Sequence, residues 1–281
     1  MKRLIITADD FGLSSAVNEA VEEAHRNGVL STTSLMVGAK ETGDAIDRAR
    51  RIPSLRVGLH LVLVAGSPVL PARTLPDLVD GRGEFSSHLV RAGINFFFRP
   101  GARRQLEQEI RAQFQAFQDT GLLLDHVNCH HHMHLHPTLG ELILRVGREY
   151  GLKAMRFPYE PLLPSWRASR KNFDQKLLSW LALSPWLVHL KNLLRHAQVR
   201  SNHFLFGLND SGNMNLDLVL RFLRHLPAGV TEIYFHPVSR AGSDLGRTAG
   251  AGEEDLSALT SPDLRKALSA PDIQSIGFSD L

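Results

Sequence analysis

The chain has 281 residues, of which 43% are apolar, with 32 basic against 29 acidic side chains and a net charge of +3. That length supports a sizeable core, and so small a charge imbalance gives no ground for a nucleic-acid partner. One cysteine, Cys129, excludes an intramolecular disulfide, and no run of about 18 apolar residues suggests a membrane-spanning helix.

The N-terminal MKRLIITADD has no signal-peptide core, because Asp9 and Asp10 interrupt the apolar run. Leu4 to Thr7 reads as a buried parallel strand. Ser14 or Ser15 then caps a helix carrying Val17, Ala20, Val21 and Ala24 and stopping at Gly28. The unit repeats. Strands are expected at Leu30 to Val37, Leu55 to Val64, Leu123 to Cys129, Lys153 to Phe157 and Val230 to His236. Helices are expected at Thr42 to Arg51, Arg103 to Thr120, Thr138 to Tyr150 and Leu216 to Leu226. Glu253 to Leu281 reads as a last helix and a strand near Ile273 to Phe278. Pro68 to Phe98 reads as loop-rich, and Ser239 to Gly252 as a Gly/Ser-rich loop. Pro161 to Asn202 is a basic insertion rich in leucine and tryptophan.

Strand–helix alternation predicts a parallel sheet with right-handed crossovers. With no linker, residues 1–281 are expected to form one α/β domain, a closed or nearly closed (β/α) barrel with a helical insertion at about 161–202. A doubly wound open sheet is the alternative.

Polar residues gather where these strands end: Asp9 and Asp10, His60, the run from His126 to His136, Arg156 and His236. Six of the fourteen histidines fall in DHVNCHHHMHLHP, Asp125 to Pro137. In a parallel barrel these ends open on one face, where active sites of that architecture sit. Each has a plainer reading. The acids could cap a helix, His60 could be a core residue, the histidine run a solvated loop, His236 a turn partner, and Arg156 the mate of a nearby carboxylate. Adjacent strand residues point apart, so Asp9 and Asp10 are expected to have different tasks. By the same alternation Asn128 and His130 share a face, and Cys129 is filler on the other. One aspartate and two histidines would make a facial N,N,O set. It suits Zn²⁺ or another first-row divalent ion better than Mg²⁺ and leaves positions open for water and substrate. A second carboxylate and a histidine across the site would supply acid–base chemistry, which fits hydrolysis of an amide.

TADDFG (Thr7 to Gly12), GLHL (Gly58 to Leu61), HVNCHHHMHLHP (His126 to Pro137) and YFHP (Tyr234 to Pro237) resemble the YdjC-like carbohydrate deacetylases, which include the chitooligosaccharide deacetylases. The motifs stand in family order along nearly the whole chain. The resemblance implies a distorted (β/α) barrel and metal-dependent removal of an N-acetyl group from an amino sugar. It implies one divalent ion, Zn²⁺ first, with Mg²⁺ or another divalent ion as alternatives, on Asp10, His60 and His130. Asp9 would be the general base and His236 the general acid. Asn128, His132, His134 and Arg156 are expected to meet the substrate. Asn128-Cys129 replaces the Asp-Ser pair usual in the chitooligosaccharide enzymes, which bears on a chitin-type substrate and not on the metal triad.

AMRFPYEP (Ala154 to Pro161), the insertion, and HFLFGLNDSGNM (His203 to Met214) resemble the branch associated with hopanoid biosynthesis. That branch implies an N-acetylglucosaminyl hopanoid as substrate. The insertion, with all three tryptophans, reads as an interfacial helix on an anionic membrane or a lid on the barrel. Phe97 and Trp180 would then line an apolar entrance. A cytoplasmic location, with peripheral contact to the inner membrane face, follows from the same reading, and a homo-oligomer is compatible with it. The rivals are a metal phosphoesterase, which needs more carboxylates for two metals, and a non-catalytic metal-storage module, which needs several ions.

Overall fold

A computed structural model describes residues 2–240 and 247–281. Its strands are β1 (Lys2–Phe11), β2 (Thr32–Leu35), β3 (Arg56–Leu61), β4 (Leu124–Cys129), β5 (Phe204–Phe206), β6 (Gly229–Phe235) and β7 (Ile273–Ser275). Every pairing is parallel, in the order β4-β3-β2-β1-β6-β5. β1 is central. One edge pairs with β6 over Lys2 to Ala8. The other pairs with β7 at Lys2 to Leu4 and with β2 from Thr7 onward. Two-sided pairing and cover by helices leave β1 buried from Leu4 to Phe11, which is why it reads as a continuous apolar run until the acids.

Single bridges carry the ring from β4 to β5. The Val127 N–H donates to Ala154 O (3.0 Å), Arg156 N–H to Val127 O (3.0 Å), Met155 N–H to Arg200 O (2.9 Å) and Leu205 N–H to Tyr159 O (2.8 Å). The sheet is therefore a curled, distorted barrel and not a doubly wound open sheet. Lys153 to Phe157, expected as a strand, forms only isolated bridges at Ala154 and Met155. Pro158 and Pro161 lack the N–H groups that would extend the ladder. β5 escaped the sequence reading because three residues show no period.

The helices are α1 (Ser15–Arg26), α2 (Thr42–Arg51), α3 (Leu89–Phe98), α4 (Pro100–Asp119), α5 (Pro137–Glu149), α6 (Leu162–Ser169), α7 (Phe173–Ala197), α8 (Leu216–Arg224), α9 (Arg247–Thr260) and α10 (Pro262–Leu268). In α1, Ser14 accepts the Val17 N–H, and Ala16, Val17, Ala20, Val21 and Ala24 are buried. The i, i+4 spacing that predicted the helix thus becomes its core face. α3 corrects the expectation of loop through Phe98. Its sequence is apolar nearly all round, so no single-faced period marked it. The loop expected at Ser239 to Gly252 falls partly on 241–246, outside the described residues, and its end is the first turn of α9. The insertion is α6 and α7, with Leu187, Leu190 and Leu194 of α7 buried. No helix among the described residues is long and apolar enough to cross a membrane.

Candidate active site

β1 delivers two acids to one place. Its ladder with β2 is irregular between Ala8 and Phe11, and Asp10 has a left-handed backbone, φ 64°. Strand alternation would send neighbouring side chains to opposite faces, but the bulge breaks it. Asp9 and Asp10 both line a cavity of about 410 Å³, together with His130, His131 and His236. This corrects the expectation that the two acids point apart. A left-handed non-glycine residue persists only where its surroundings hold it.

Asp10 Oδ1 lies 3.2 Å from His60 Nε2 and 3.2 Å from His130 Nδ1. The two ring nitrogens are themselves 3.2 Å apart. Corners of such a triangle lie roughly 1.8 Å from its centre, just inside the ~2.0–2.2 Å of zinc–nitrogen and zinc–oxygen bonds. Asp10, His60 and His130 would therefore suit a small divalent ion as its holders. Asp10 Oδ1 is buried without a hydrogen-bond partner, so its lone pairs converge with the ring nitrogens on an acceptor-only point. Among the described residues this is the one group of three able to hold a metal.

These side chains are themselves oriented. His60 Nδ1–H donates to Asn128 Oδ1 at 2.7 Å, which leaves Nε2 bare toward the triangle. Asn128 Nδ2 in turn donates to Asp9 Oδ1 (3.0 Å), and so does Ser34 Oγ (2.9 Å). Asn128 is fully buried in this relay, so it positions His60 and Asp9 and lines neither the large cavity nor the one beside His60. Cys129 is buried in the core, and burial pushes its thiol up, but it also lines the smaller cavity beside His60 and His130, so it is not confined to the other face of β4 as expected.

Arg156 Nη1 donates to Asp9 Oδ2 at 2.6 Å and Nη2 to Asp9 Oδ1 at 2.9 Å. Nη2 and Nε also donate to Glu232, at 2.6 and 3.0 Å. Arg156 has no exposed surface, so the guanidinium expected at the substrate is spent on two buried carboxylates. Burial alone would raise the Asp9 pKa, but Arg156 and His60 outweigh it and hold Asp9 far below the usual carboxylate range. His130 and His60 do the same for Asp10 against its burial.

His236, at the end of β6, lines the cavity. Its backbone N–H donates to Asp255 Oδ2 (2.8 Å) and its Nδ1 lies 3.5 Å from Ser211 Oγ. His132 lines an adjoining cavity of about 280 Å³, beside Leu89, His60 and Tyr234. His134 is fully enclosed. Burial pushes His134 down to about 3 and His132 well below the ordinary imidazole range, so both are neutral at pH 7. Phe97 and Trp180 lie on α3 and α7, away from both cavities, while Leu89 at the start of α3 reaches the second.

The sequence reading missed Ser34, Glu232, Ser211 and Asp255. Glu232 left a signal, a lone charge inside the apolar strand VTEIYF. Asp255 left none, because its helix meets the cavity only through tertiary packing.

A family model described as YdjC-like protein matches residues 3–270. A carbohydrate deacetylase of Brevibacillus brevis is 39% identical over 160 residues, 56% of this chain and 60% of that one. A carbohydrate deacetylase of Vibrio parahaemolyticus is 28% identical over 288 residues, 99% and 96% of the two chains. A crystal structure from Enterococcus faecalis V583, described as a candidate cellobiose-phosphate cleavage protein, superposes with a TM-score of 0.76. It is 25% identical and covers 99% of this chain and 98% of its own.

Proposed function

The chain belongs to the YdjC-like protein family, and from that premise we propose that it hydrolyses the N-acetyl group of an N-acetylglucosamine-bearing substrate with one divalent metal ion. The observation that carries the reading is the triangle of Asp10, His60 and His130 in a cavity shared with Asp9 and His236. Zn²⁺ suits the N,N,O donors best. Such an ion, when bound, lowers the pKa of a water to about 7 and polarises an amide carbonyl. The chain supplies the rest. Asp9 stays ionised at any working pH and accepts the proton lost by the attacking water. Arg156 and Asn128 fix the direction in which its carboxylate points. His236 faces the same cavity and gives a proton to the leaving amine. One three-residue cluster among the described residues supports a one-metal hydrolase over a two-metal phosphoesterase or a storage module.

The finer reading is a lipid-linked substrate, an N-acetylglucosaminyl hopanoid, taken from the inner membrane face by a cytoplasmic protein. Twelve of the fourteen exposed large apolar side chains among the described residues lie between Leu89 and Phe98 or between Leu163 and Val188. Exposed Arg91, Arg99, Arg104, Arg167, Lys171 and Lys191 interleave with them. Apolar tips among cations suit an anionic bilayer surface, and Leu89 joins that surface to the cavity beside His60.

The test is acetate release from an N-acetylglucosaminyl lipid and from chitobiose, with Zn²⁺ supplied. Release from the lipid in preference to chitobiose is expected. Chitobiose as the better substrate removes the lipid reading, and no release from any N-acetylated sugar removes the deacetylase.

A further inference from the structure

Residues 207–215 connect β5 to α8 and run along the rim of both catalytic cavities. Leu208 and Ser211 line the smaller cavity, Ser211 and Gly212 the larger. The segment leaves β5 at Gly207, whose φ of 110° suits glycine and where a Cβ would come within 2.9 Å of Tyr234 O. It then turns tightly, with Asn213 N–H donating to Asp210 O (2.9 Å) and Gly212 at a φ of 79°. Ser211 stands exposed in that turn, its Oγ 3.5 Å from His236 Nδ1. Among the described residues this is the one hydrogen-bonding neighbour of the His236 ring.

The turn is held from the helical insertion. Lys176 of α7 is 3% exposed and donates to Asp210 Oδ2 (2.6 Å) and Ser165 Oγ (2.9 Å), with Glu160 Oε1 at 3.7 Å. Ser165 of α6 donates its own hydroxyl to Glu160 Oε1, and Glu160 Oε2 accepts the Asn209 N–H (3.1 Å). The two residues before Ser211 are thus pinned, one by its main chain and one by its side chain. Parting a buried lysine from its carboxylates leaves charge uncompensated, so the network resists displacement. Lys176, Glu160, Ser165 and Asp210 line neither catalytic cavity. They act on the turn and not on a bound substrate.

Given a deacetylase, on which this role rests, we infer that Lys176 and Glu160 are positioning residues for its proton donor, His236. Asp255 fixes the main chain of His236 by accepting its N–H (2.8 Å), but the ring can still rotate about its side-chain bonds. Ser211 Oγ, by accepting the Nδ1–H of the protonated ring, removes that freedom and leaves the Nε2–H for the leaving amine. α6 and α7 therefore do more than cover the barrel, since each carries a group that keeps the acid aimed.

Asp210→Ala cuts the network at a half-buried residue and Ser211→Ala at an exposed one, so both variants should fold. With Zn²⁺ supplied, each should lower kcat for acetate release by about 10- to 100-fold, the cost of a misplaced catalytic group, with KM and metal content nearly unchanged. The double variant should lose no more than the worse single one, because both act through one contact. Asp210→Asn keeps an oxygen for Lys176 and should recover most of the rate. Imidazole nitrogen NMR of the metal-free protein at fixed pH, with the His236 ring assigned from His236→Gln, reads the ring without substrate. Its signals should move in Asp210→Ala and return in Asp210→Asn. Unmoved ring signals, additive losses in the double variant, or a rise in KM in place of the fall in kcat would each overturn the role of the network. A wild type that releases no acetate would instead remove the deacetylase reading, and the ring signals would still decide whether the network holds His236.

Discussion

Arg156 and Asp9 form a two-pronged ion pair, 2.6 and 2.9 Å, with neither residue more than 2% exposed. Glu232 shares the same guanidinium, so one cation holds two carboxylates inside the barrel. Arg156→Met removes the cation and strands both. Breaking a buried pair this way costs about 3–5 kcal/mol, and chemical denaturation should read it. The pair also makes stability fall in acid. Asp9 has a lower pKa folded than unfolded, so its contribution is full above the ordinary carboxylate pKa and is lost as pH drops below it. Melting temperature should decline from neutral pH toward pH 3, and by less in Asp9→Asn. That variant should keep its metal while turnover falls roughly 10²–10⁴-fold. Loss of metal instead would mean that Asp9, and not Asp10, is the ligand.

Asn128 should govern metal affinity without touching the ion. Its Oδ1 receives the His60 Nδ1–H and its Nδ2 binds Asp9. Asn128→Leu removes both, freeing the His60 tautomer. Metal affinity should drop by about 10- to 100-fold, the usual effect of losing such a support. His60→Ala should abolish tight binding. Asn128→Asp restores the acceptor for His60 but sets a second negative charge beside Asp9. It should recover metal affinity better than leucine does and still disturb the pH dependence of turnover. Equal metal content in all three variants would remove the triad from the metal site.

The triad and its neighbours were legible because the chemistry sits at the ends of long parallel strands. Asp9, Asp10, His60, His130 and His236 each follow or close a β-rich run, and a parallel barrel brings such ends to one rim. What was illegible depends on tertiary partners. Nothing local shows that Arg156 points at two carboxylates and not at solvent. The bulge at Asp10 is equally hidden, since a left-handed aspartate has no marker in sequence. α3 failed for the opposite reason, with too many apolar residues to define a face.

Asp255 should make the fold less stable as the solution becomes more alkaline. Burial pushes its pKa up to about 6 despite the His236 N–H donated to it, and Oδ1 has no partner. A carboxyl whose folded pKa exceeds its unfolded one holds an extra proton when folded between those values. Its contribution is therefore lost as pH rises from about 4 through about 6. Asp255→Asn keeps an acceptor for the His236 N–H and needs no charge. It should raise the melting temperature at pH 8 by several degrees, from a gain of order 2–3 kcal/mol, and change it little at pH 4. Equal melting curves at both pH values would show that Asp255 stays ionised in the folded protein.

The exposed apolar helices should separate lipid from soluble substrates. Phe98 is 72% exposed and Leu178 69%, and neither lines the cavities beside Asp10, His60 and His130. α7 packs Leu187, Leu190 and Leu194 inward, so it covers the barrel and still presents apolar tips outward. Phe98→Ser and Leu178→Ser remove such tips without creating a core cavity, so stability should change little. If the tips enter a bilayer, binding to anionic vesicles should weaken in both variants, and in the wild type should weaken as salt screens the interleaved arginines and lysines. Acetate release from a lipid-linked N-acetylglucosamine in vesicles should then fall, while release from chitobiose stays level. Equal loss on both substrates would place the defect in the catalytic cavity. Unchanged vesicle binding in both variants would leave α3 and α7 as an ordinary cover for the barrel and return the substrate to solution.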